Sequence, residues 1–360
     1  MTMSSNYREY KLPAVLRHID SLKYGFRTFW PSLQIALTDK CFNQCPMCGH
    51  WQREPKRTLA YPLLERLLAT GKGRGLETVC YSGGDPFAVP ELLNDVLAWH
   101  EDNPEVDFGI VTAGVADWDR IELRQLAKAR WVRVSLDTVK SAKYKEIRGG
   151  QLSLTSVLDS IDRMLAAGVN VCIGAVLHKQ NAEDVIEVAE YAMTKQIKEV
   201  RAWQARPHQR SQKMRVVDFD QGHCHLVEWL RRTAIHLCKL GISNNFHTLA
   251  DDLLYPAEFR GFPHCYVALY QAFVDASGTI FPCCTTAGDT QKQIPAICVP
   301  GMNYGNLQTS MVGLMWANAV KFFEATGKGG FPSVCREGCV PKHIEANQIA
   351  YENWGTKCFQ

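Results

Sequence analysis

Three cysteines, Cys41, Cys45 and Cys48, fall within eight residues directly behind the apolar run Leu33–Leu37. That run reads as a β-strand. A C-x3-C-x2-C loop is therefore pinned to a strand end, and whatever the thiols bind must sit at that edge of a sheet. Three thiolates on so compact a loop can converge on one corner of an iron–sulfur cubane. A structural zinc would want a fourth nearby ligand, and His50 is the competing candidate for that place. A cluster held by only three cysteines leaves one iron open, and an open iron can bind and reduce a substrate or cofactor.

The chain of 360 residues carries fourteen cysteines in all, with seven of them between Cys265 and Cys358. No apolar run is long enough to span a bilayer, and the N-terminus lacks the basic-then-apolar pattern of a secretory signal, so a cytoplasmic protein with no membrane partner is expected. A reducing compartment does not support a disulfide framework, which leaves metal binding as the default use of the cysteines. Forty lysines and arginines against 37 acids give a net charge of only +3. No nucleic-acid partner is expected from so small an excess. Hydrophobic residues at 46% and charged residues at 21% exclude disorder as the dominant state.

Between residues 76 and 204, short β-branched runs alternate with amphipathic stretches, the pattern of βα units around a parallel sheet. Strands are expected at Thr78–Tyr81, Phe108–Thr112, Val132–Ser135, Val169–Val176 and Glu199–Trp203. Helices are expected at Pro90–His100, Trp118–Lys128, Leu154–Ala167 and Ala182–Thr194, and one long helix at Asp218–Leu240 stopped by Gly241. The fold class is α/β, a partial (β/α)6-type barrel or open sheet, in which the chemistry gathers at the C-terminal ends of the strands. Beyond about residue 250 the pattern changes to glycine, proline and cysteine punctuation. The expected division is 1–32 as an N-terminal extension, 33–250 as the core, and 251–360 as a small α+β cluster-binding domain.

The cysteine loop, with Met47 before its third cysteine, resembles the hallmark of the radical S-adenosylmethionine (SAM) superfamily. The turn Gly83–Gly84–Asp85–Pro86 behind the next strand resembles that family's Gly-Gly-Glu-Pro, with Asp85 in place of glutamate. The resemblance implies that this turn contacts the amino group of SAM. Glycines there let a ligand approach the backbone closely. Val111–Thr112–Ala113–Gly114 resembles the family's Thr-Asn-Gly strand end, with Ala113 replacing asparagine. Ser135 and Asp137 match the strand end whose polar groups face the ribose or carboxylate of SAM, although helix capping explains such residues equally well. Asn181 follows the strand that resembles the family's fifth. An arginine of the basic run Arg201–Arg210, with Arg206 the candidate, suits the carboxylate of SAM or of an anionic substrate. His223, Cys224 and His225 point in different directions on a helix and do not make a site.

The late cysteines resemble the SPASM and twitch extensions of this superfamily. Cys265, the hairpin sequence Asp275–Cys284 with its turn at Ser277–Gly278, and the pair Cys335 and Cys339 carry the likeness. The fuller C-x2-C-x5-C-x3-C pattern is lacking. The resemblance thus implies one auxiliary [4Fe-4S] cluster held by Cys265, Cys283, Cys335 and Cys339, with a second left open. Cys284, Cys298 and Cys358 are left over, and the first two are candidate hydrogen donors to a substrate radical.

The chemistry that the resemblance implies is specific. A [4Fe-4S] cluster with an open iron, reduced by a partner such as flavodoxin or ferredoxin, cleaves SAM to a 5'-deoxyadenosyl radical, which abstracts hydrogen from an unactivated carbon. Only about 32 residues precede the first strand, fewer than a peptide-recognition domain needs, which favours a small-molecule substrate of the sugar, aminocyclitol or nucleoside type in natural-product biosynthesis. The outcome would be oxidation or epimerisation. Modification of a ribosomally made peptide is the alternative. A non-catalytic iron–sulfur electron carrier is the rival from another class, and the open site and the glycine turn weigh against it.

Overall fold

The β-branched runs assemble into one ten-stranded sheet in the computed structural model, which describes residues 29–48, 50–178, 180–205, 224–254, 265–283 and 303–327. Six strands follow one another as parallel neighbours: β1 (Ser32–Thr38), β2 (Thr78–Gly83), β3 (Asp107–Thr112), β4 (Trp131–Ser135), β5 (Val171–Leu177) and β6 (Glu199–Gln204). Parallel pairs need crossovers, and helices supply them. These are α1 (Tyr61–Lys72), α2 (Pro90–Asp102), α3 (Leu123–Leu126), then α4 (Ser141–Arg148) with α5 (Leu154–Ala166), and α6 (Asp184–Thr194). The expected α/β partial (β/α)6 arrangement is thus the one observed. After α7 (Cys224–Lys239), a short β7 (Ser243–Asn244) extends the β6 edge, and α8 (Phe246–Leu254) follows.

Side-chain periodicity explains which face each element buries. On α1 the buried residues are Leu64, Leu67, Leu68 and Gly71, the three-and-four spacing of a helix with one apolar stripe. A methyl at Gly71 would lie 2.5 Å from the Phe29 ring, so the glycine makes room for that aromatic. Helix α5 begins at Ser153, whose hydroxyl accepts a hydrogen bond from the Ser156 amide at 3.0 Å. Strand β4 alternates, with Val132 and Val134 buried in the core and Trp131, Arg133 and Ser135 half-buried on its other face. Strand β5 is buried at every position but Val176, as a central parallel strand should be.

On the other side of β1 the sheet continues through β8 (Gln271–Val274), parallel to β1, then β9 (Thr279–Phe281) and β10 (Gly305–Asn306), both antiparallel to their neighbours. The sheet therefore runs on past residue 250 without a break. The hairpin turn falls at Ser277–Gly278 as expected. Gly278 has φ +81°, and the Asp275 carboxylate accepts from the Ser277 amide, the Ser277 hydroxyl and the Thr279 amide. Trp30 ties this part to the start of β1. Its indole donates to the Ala268 carbonyl at 3.0 Å, just before β8 in the short helix α9 (Val267–Tyr270), and it stacks on Tyr304. Its edge meets Trp316 of α10 (Val312–Gly327).

Two expectations need correction. Trp118–Lys128 is not one helix but a 3-10 turn at Trp118–Arg120 followed by α3, with Ile121 extended between them and buried. Tertiary contacts override the periodicity here, because Trp118 packs edge-on against Phe87 and its indole donates to the Ser160 hydroxyl on α5. The polar stretch Ser141–Arg148 carries too weak an apolar stripe to be read from sequence, yet it is helical. Lys143 within it and Lys140 just ahead of it reach the buried Asp184 carboxylate. The helix expected at Asp218–Leu240 is seen as α7 from Cys224, residues 218–223 lying outside those described, and Gly241 ends it at φ +71°. Among the described residues no helix is long and apolar enough to cross a membrane.

One core group gives the fold a pH dependence. His100 on α2 is buried, its ring stacked 4.3 Å from Phe108. Nδ1 lies 3.0 Å from the Val106 carbonyl and donates to it, which leaves Nε2 to accept from the Tyr81 hydroxyl at 2.9 Å. Burial pushes the His100 pKa down to about 4, against the pull of the Val106 carbonyl and Asp107. As pH falls from the ordinary 6.5 the unfolded chain binds a proton that the folded chain refuses, so stability is lost through that window. At ~1.4 kcal/mol per unit the loss reaches roughly 3 kcal/mol by about pH 4. Urea unfolding of wild type and His100→Gln across this range should show a shallower decline in the variant. Equal slopes would contradict the assignment.

Candidate functional site

The loop behind β1 is held from three sides. Along the loop itself, the Thr38 hydroxyl lies 2.9 Å from both the Arg57 carbonyl and the Thr58 hydroxyl, and the Asp39 amide donates to Arg57 at 2.8 Å. Asp39 is buried with Arg53 3.3 Å away, and burial raises its pKa against that guanidinium. The Trp51 indole donates to the Cys45 carbonyl at 2.8 Å. From the second side, the turn behind β2 donates two amides, Gly84 to the Thr38 carbonyl at 2.6 Å and Asp85 to the Lys40 carbonyl at 2.7 Å. From the third, the end of α4 accepts the Gln44 amide on the Arg148 carbonyl at 2.9 Å.

Cys45 is buried, Cys41 and Cys48 are half-buried, and none of the three is in a disulfide. Burial, the Asp85 carboxylate and the neighbouring Cys45 and Cys48 push the Cys41 pKa up to about 12. Burial also raises Cys45, with Arg148 opposing it. Three soft donors thus share one place where their negative charges cannot coexist unaided, an environment that suits a polynuclear cation. A cubane takes its thiolates at separate corners, and the donor set fits that group.

The glycines of the turn are required by geometry. Gly83 has φ +134°, and a Cβ there would stand 2.4 Å from the Thr38 carbonyl oxygen. At Gly84 a Cβ would stand 2.0 Å from the Lys40 carbonyl oxygen. Asp85 faces inward. Its carboxylate accepts from the Phe87 amide at 3.0 Å, the Thr112 hydroxyl at 2.8 Å and the Ala113 amide at 2.8 Å, while the Thr112 hydroxyl accepts from the Gly114 amide. Burial pushes the Asp85 pKa up to about 6 in spite of these donors. Asp85 and Thr112 therefore latch the end of β2 to the end of β3 instead of facing outward. Ala113 joins the latch through its backbone alone, so the missing asparagine side chain costs the latch nothing.

Asp137 is likewise enclosed. One carboxylate oxygen accepts from the Val176 amide at 2.7 Å, and the other lies 2.9 Å from Arg148 Nη2. Asn181 braces the same corner, donating to the Asp137 carbonyl at 3.0 Å and the Val176 carbonyl at 2.8 Å. His178 is buried beside it, its Nε2 without a hydrogen-bond partner among the described residues. Ser135 and Met47 are half-buried and enter none of these bonds. Arg201 on β6 is spent on Glu199 at 2.8 Å. Cys265, its amide donating to the Thr326 hydroxyl at 3.0 Å, precedes α9, and Cys283 follows β9. Arg206, Cys284, Cys298, Cys335, Cys339 and Cys358 lie outside the described residues, as does His223.

Sequence reasoning missed Arg148. The readable signal was Gly149–Gly150 behind it: a Cβ at Gly149 (φ +59°) would stand 2.8 Å from the Gln44 carbonyl oxygen, and one at Gly150 would stand 2.5 Å from that of Phe42. Two adjacent glycines mark a close approach of backbones. The other glycine clasp can be tested on the same ground. Gly84→Ala should cost about 1–3 kcal/mol by overpacking and reduce the iron retained after reconstitution. Gly73→Ala, at an open helical end with nothing nearer than 3.8 Å, should do neither. Urea unfolding with iron counting checks this, and a Gly84→Ala protein equal to wild type in both would refute the clasp.

Residues 35–192 match the model of the radical SAM superfamily. PqqA peptide cyclase of Xanthomonas oryzae pv. oryzae (strain MAFF 311018) is 27% identical over 335 residues, covering 87% of this chain and 81% of the relative. GTP 3',8-cyclase of Caulobacter vibrioides is 32% identical over 181 residues, 48% of this chain and 51% of the relative. Among solved structures, Streptococcus suis SuiB bound to S-adenosylmethionine covers 91% of this chain and 74% of its own at TM-score 0.64 and 18% identity. Native anSMEcpe with bound AdoMet covers 89% and 96% at TM-score 0.58 and 14% identity. Both structures share the fold. The cysteine loop and the glycine clasp both lie within the matched residues, and residues 35–192 are thereby identified as a radical SAM domain.

Proposed function

We propose that this radical SAM enzyme modifies a ribosomally made peptide. The observation that carries the reading is the extent of likeness. The match to PqqA peptide cyclase spans 87% of the chain, whereas that to GTP 3',8-cyclase, which is named for a nucleotide, stops at 48%. This reverses the preference for a small molecule. That preference rested on the short segment ahead of β1, and its brevity has no bearing on the C-terminal half, through which the longer match must extend.

Within this reading Cys41, Cys45 and Cys48 hold the [4Fe-4S] cluster and leave one iron for SAM. Gly83, Gly84, Met47 and Ser135 border the SAM site, while Asp85, Thr112 and Asp137 keep its walls in place through their hydrogen bonds to neighbouring strand ends. With both groups bound, the site supplies a 5'-deoxyadenosyl radical that removes hydrogen from an unactivated carbon. Arg206 is assigned to a carboxylate of SAM or substrate. Cys265, Cys283, Cys335 and Cys339 hold one auxiliary cluster in the portion from residue 251 onward, next to the core at 33–250. Its role is to accept the second electron when the substrate loses two hydrogens. Oxidation is favoured over epimerisation on that ground, and Cys284 and Cys298 are the hydrogen donors if epimerisation prevails. Flavodoxin or ferredoxin serves as the reductant.

The test is anaerobic reconstitution with SAM and a reductant, offered in parallel the short peptides encoded in the source genome and GTP. We expect 5'-deoxyadenosine to rise with one peptide, which becomes lighter by two hydrogen atoms, and GTP to remain unchanged. Consumption of GTP with every peptide unaltered would overturn the reading.

A further inference from the structure

Helix α4 ends where the cysteine loop begins to curl, and Arg148 is its last residue. The side chain is nearly enclosed, at 9% exposure. Nη2 lies 2.9 Å from the Asp137 carboxylate, and Nη1 lies 3.8 Å from the Cys45 sulfur, its only hydrogen-bond partner among the described residues. Nε is buried and has no partner there. A buried guanidinium is costly, and one carboxylate alone is a modest return for it. Here the pair is anchored on both members. Asp137 is held by the Val176 amide, and the Arg148 backbone is held by the Gln44 amide and by two glycines too close to Gln44 and Phe42 to admit a side chain. The guanidinium is thus fixed against one sulfur of the site.

A cation with an N–H aimed at a cysteine sulfur favours the form of a bound cluster that carries one more electron, since hydrogen bonds and charge near the sulfurs set the reduction potential.

We propose that Arg148 is a positioning residue that acts through the Cys45 sulfur, raising the reduction potential of the cluster at Cys41, Cys45 and Cys48, with Asp137 holding the guanidinium in place and offsetting part of its charge. The inference rests on the cluster reading of those three cysteines. The step it affects is a one-electron reduction. The external reductant loses the electron, the cluster gains it, and no bond in the protein forms or breaks.

The test is a dithionite titration of the full reconstituted chain followed by electron paramagnetic resonance. The signal that remains in the triple Cys41→Ala, Cys45→Ala, Cys48→Ala variant is subtracted, so that auxiliary centres do not contribute. Arg148→Gln should shift the midpoint potential downward, and Arg148→Lys should restore part of the shift. Asp137→Asn, which keeps an acceptor for the Val176 amide, should shift it upward. A merely structural ion pair would lower stability in the first and last without moving the potential in opposite directions. An unchanged potential in iron-loaded Arg148→Gln, or shifts of the same sign in Arg148→Gln and Asp137→Asn, overturns the proposal. If Arg148→Gln retains no iron, Asp137→Asn decides alone: an upward shift supports the proposal and an unchanged or lower potential overturns it. Wild-type protein with no signal beyond that of the triple cysteine variant would remove the cluster reading itself, and the proposal with it.

Discussion

Two backbone hydrogen bonds, from Gly84 to Thr38 and from Asp85 to Lys40, join the end of β2 to the cysteine loop, and the rest of the site is arranged around them. They form only because neither Gly83 nor Gly84 has a side chain. Any Cβ there would sit inside the van der Waals envelope of the Thr38 or Lys40 carbonyl. Once the turn is seated, Asp85 has a single direction in which to point, into the protein. It collects the Thr112 hydroxyl and the Ala113 amide and so fixes β3 against β2. The clasp sets the position of the loop, and the latch sets the walls beside it.

The opposite flank repeats this logic with charge in place of backbone. Asp137, Arg148, Asn181 and the Val176 amide form one enclosed network at the ends of β4 and β5. Burying this much polarity is expensive, and the Val176 and Asn181 hydrogen bonds with the Asp137–Arg148 ion pair offset part of that cost. Arg148 Nε and His178 Nε2 have no hydrogen-bond partner among the described residues, and both belong to side chains at this flank of the cysteine loop. A fold that placed these groups for packing alone would have used apolar residues of similar volume.

Much of this was legible from the chain. The strands read at Phe108–Thr112, Val132–Ser135 and Glu199–Trp203 lie within a residue of those observed, because buried parallel strands announce themselves as β-branched runs between turns. The hairpin at Ser277–Gly278 was legible because a tight turn has few chemistries open to it. Helix α4 was not, since most of its residues are polar, and Lys143 within it and Lys140 just ahead of it find Asp184, a partner more than forty residues away that no local window contains. For the same reason Trp118 broke a helix that periodicity favoured. At the site, residue types were legible and their directions were not. Asp85, Thr112 and Asp137 were read as facing a ligand, and their side chains turn inward to hydrogen-bond neighbouring strand ends, a direction that spacing cannot carry.

Everything proposed for the site depends on Cys41, Cys45 and Cys48, clasped by Gly83 and Gly84, presenting an open iron to S-adenosylmethionine. Addition of SAM to the reduced, reconstituted protein tests this most directly by electron paramagnetic resonance. SAM should alter the spectrum of the wild-type chain and leave that of the triple Cys41→Ala, Cys45→Ala, Cys48→Ala variant unchanged. A SAM-induced change of equal size in the triple variant would contradict the assignment, because the open iron would then belong to the late cysteines.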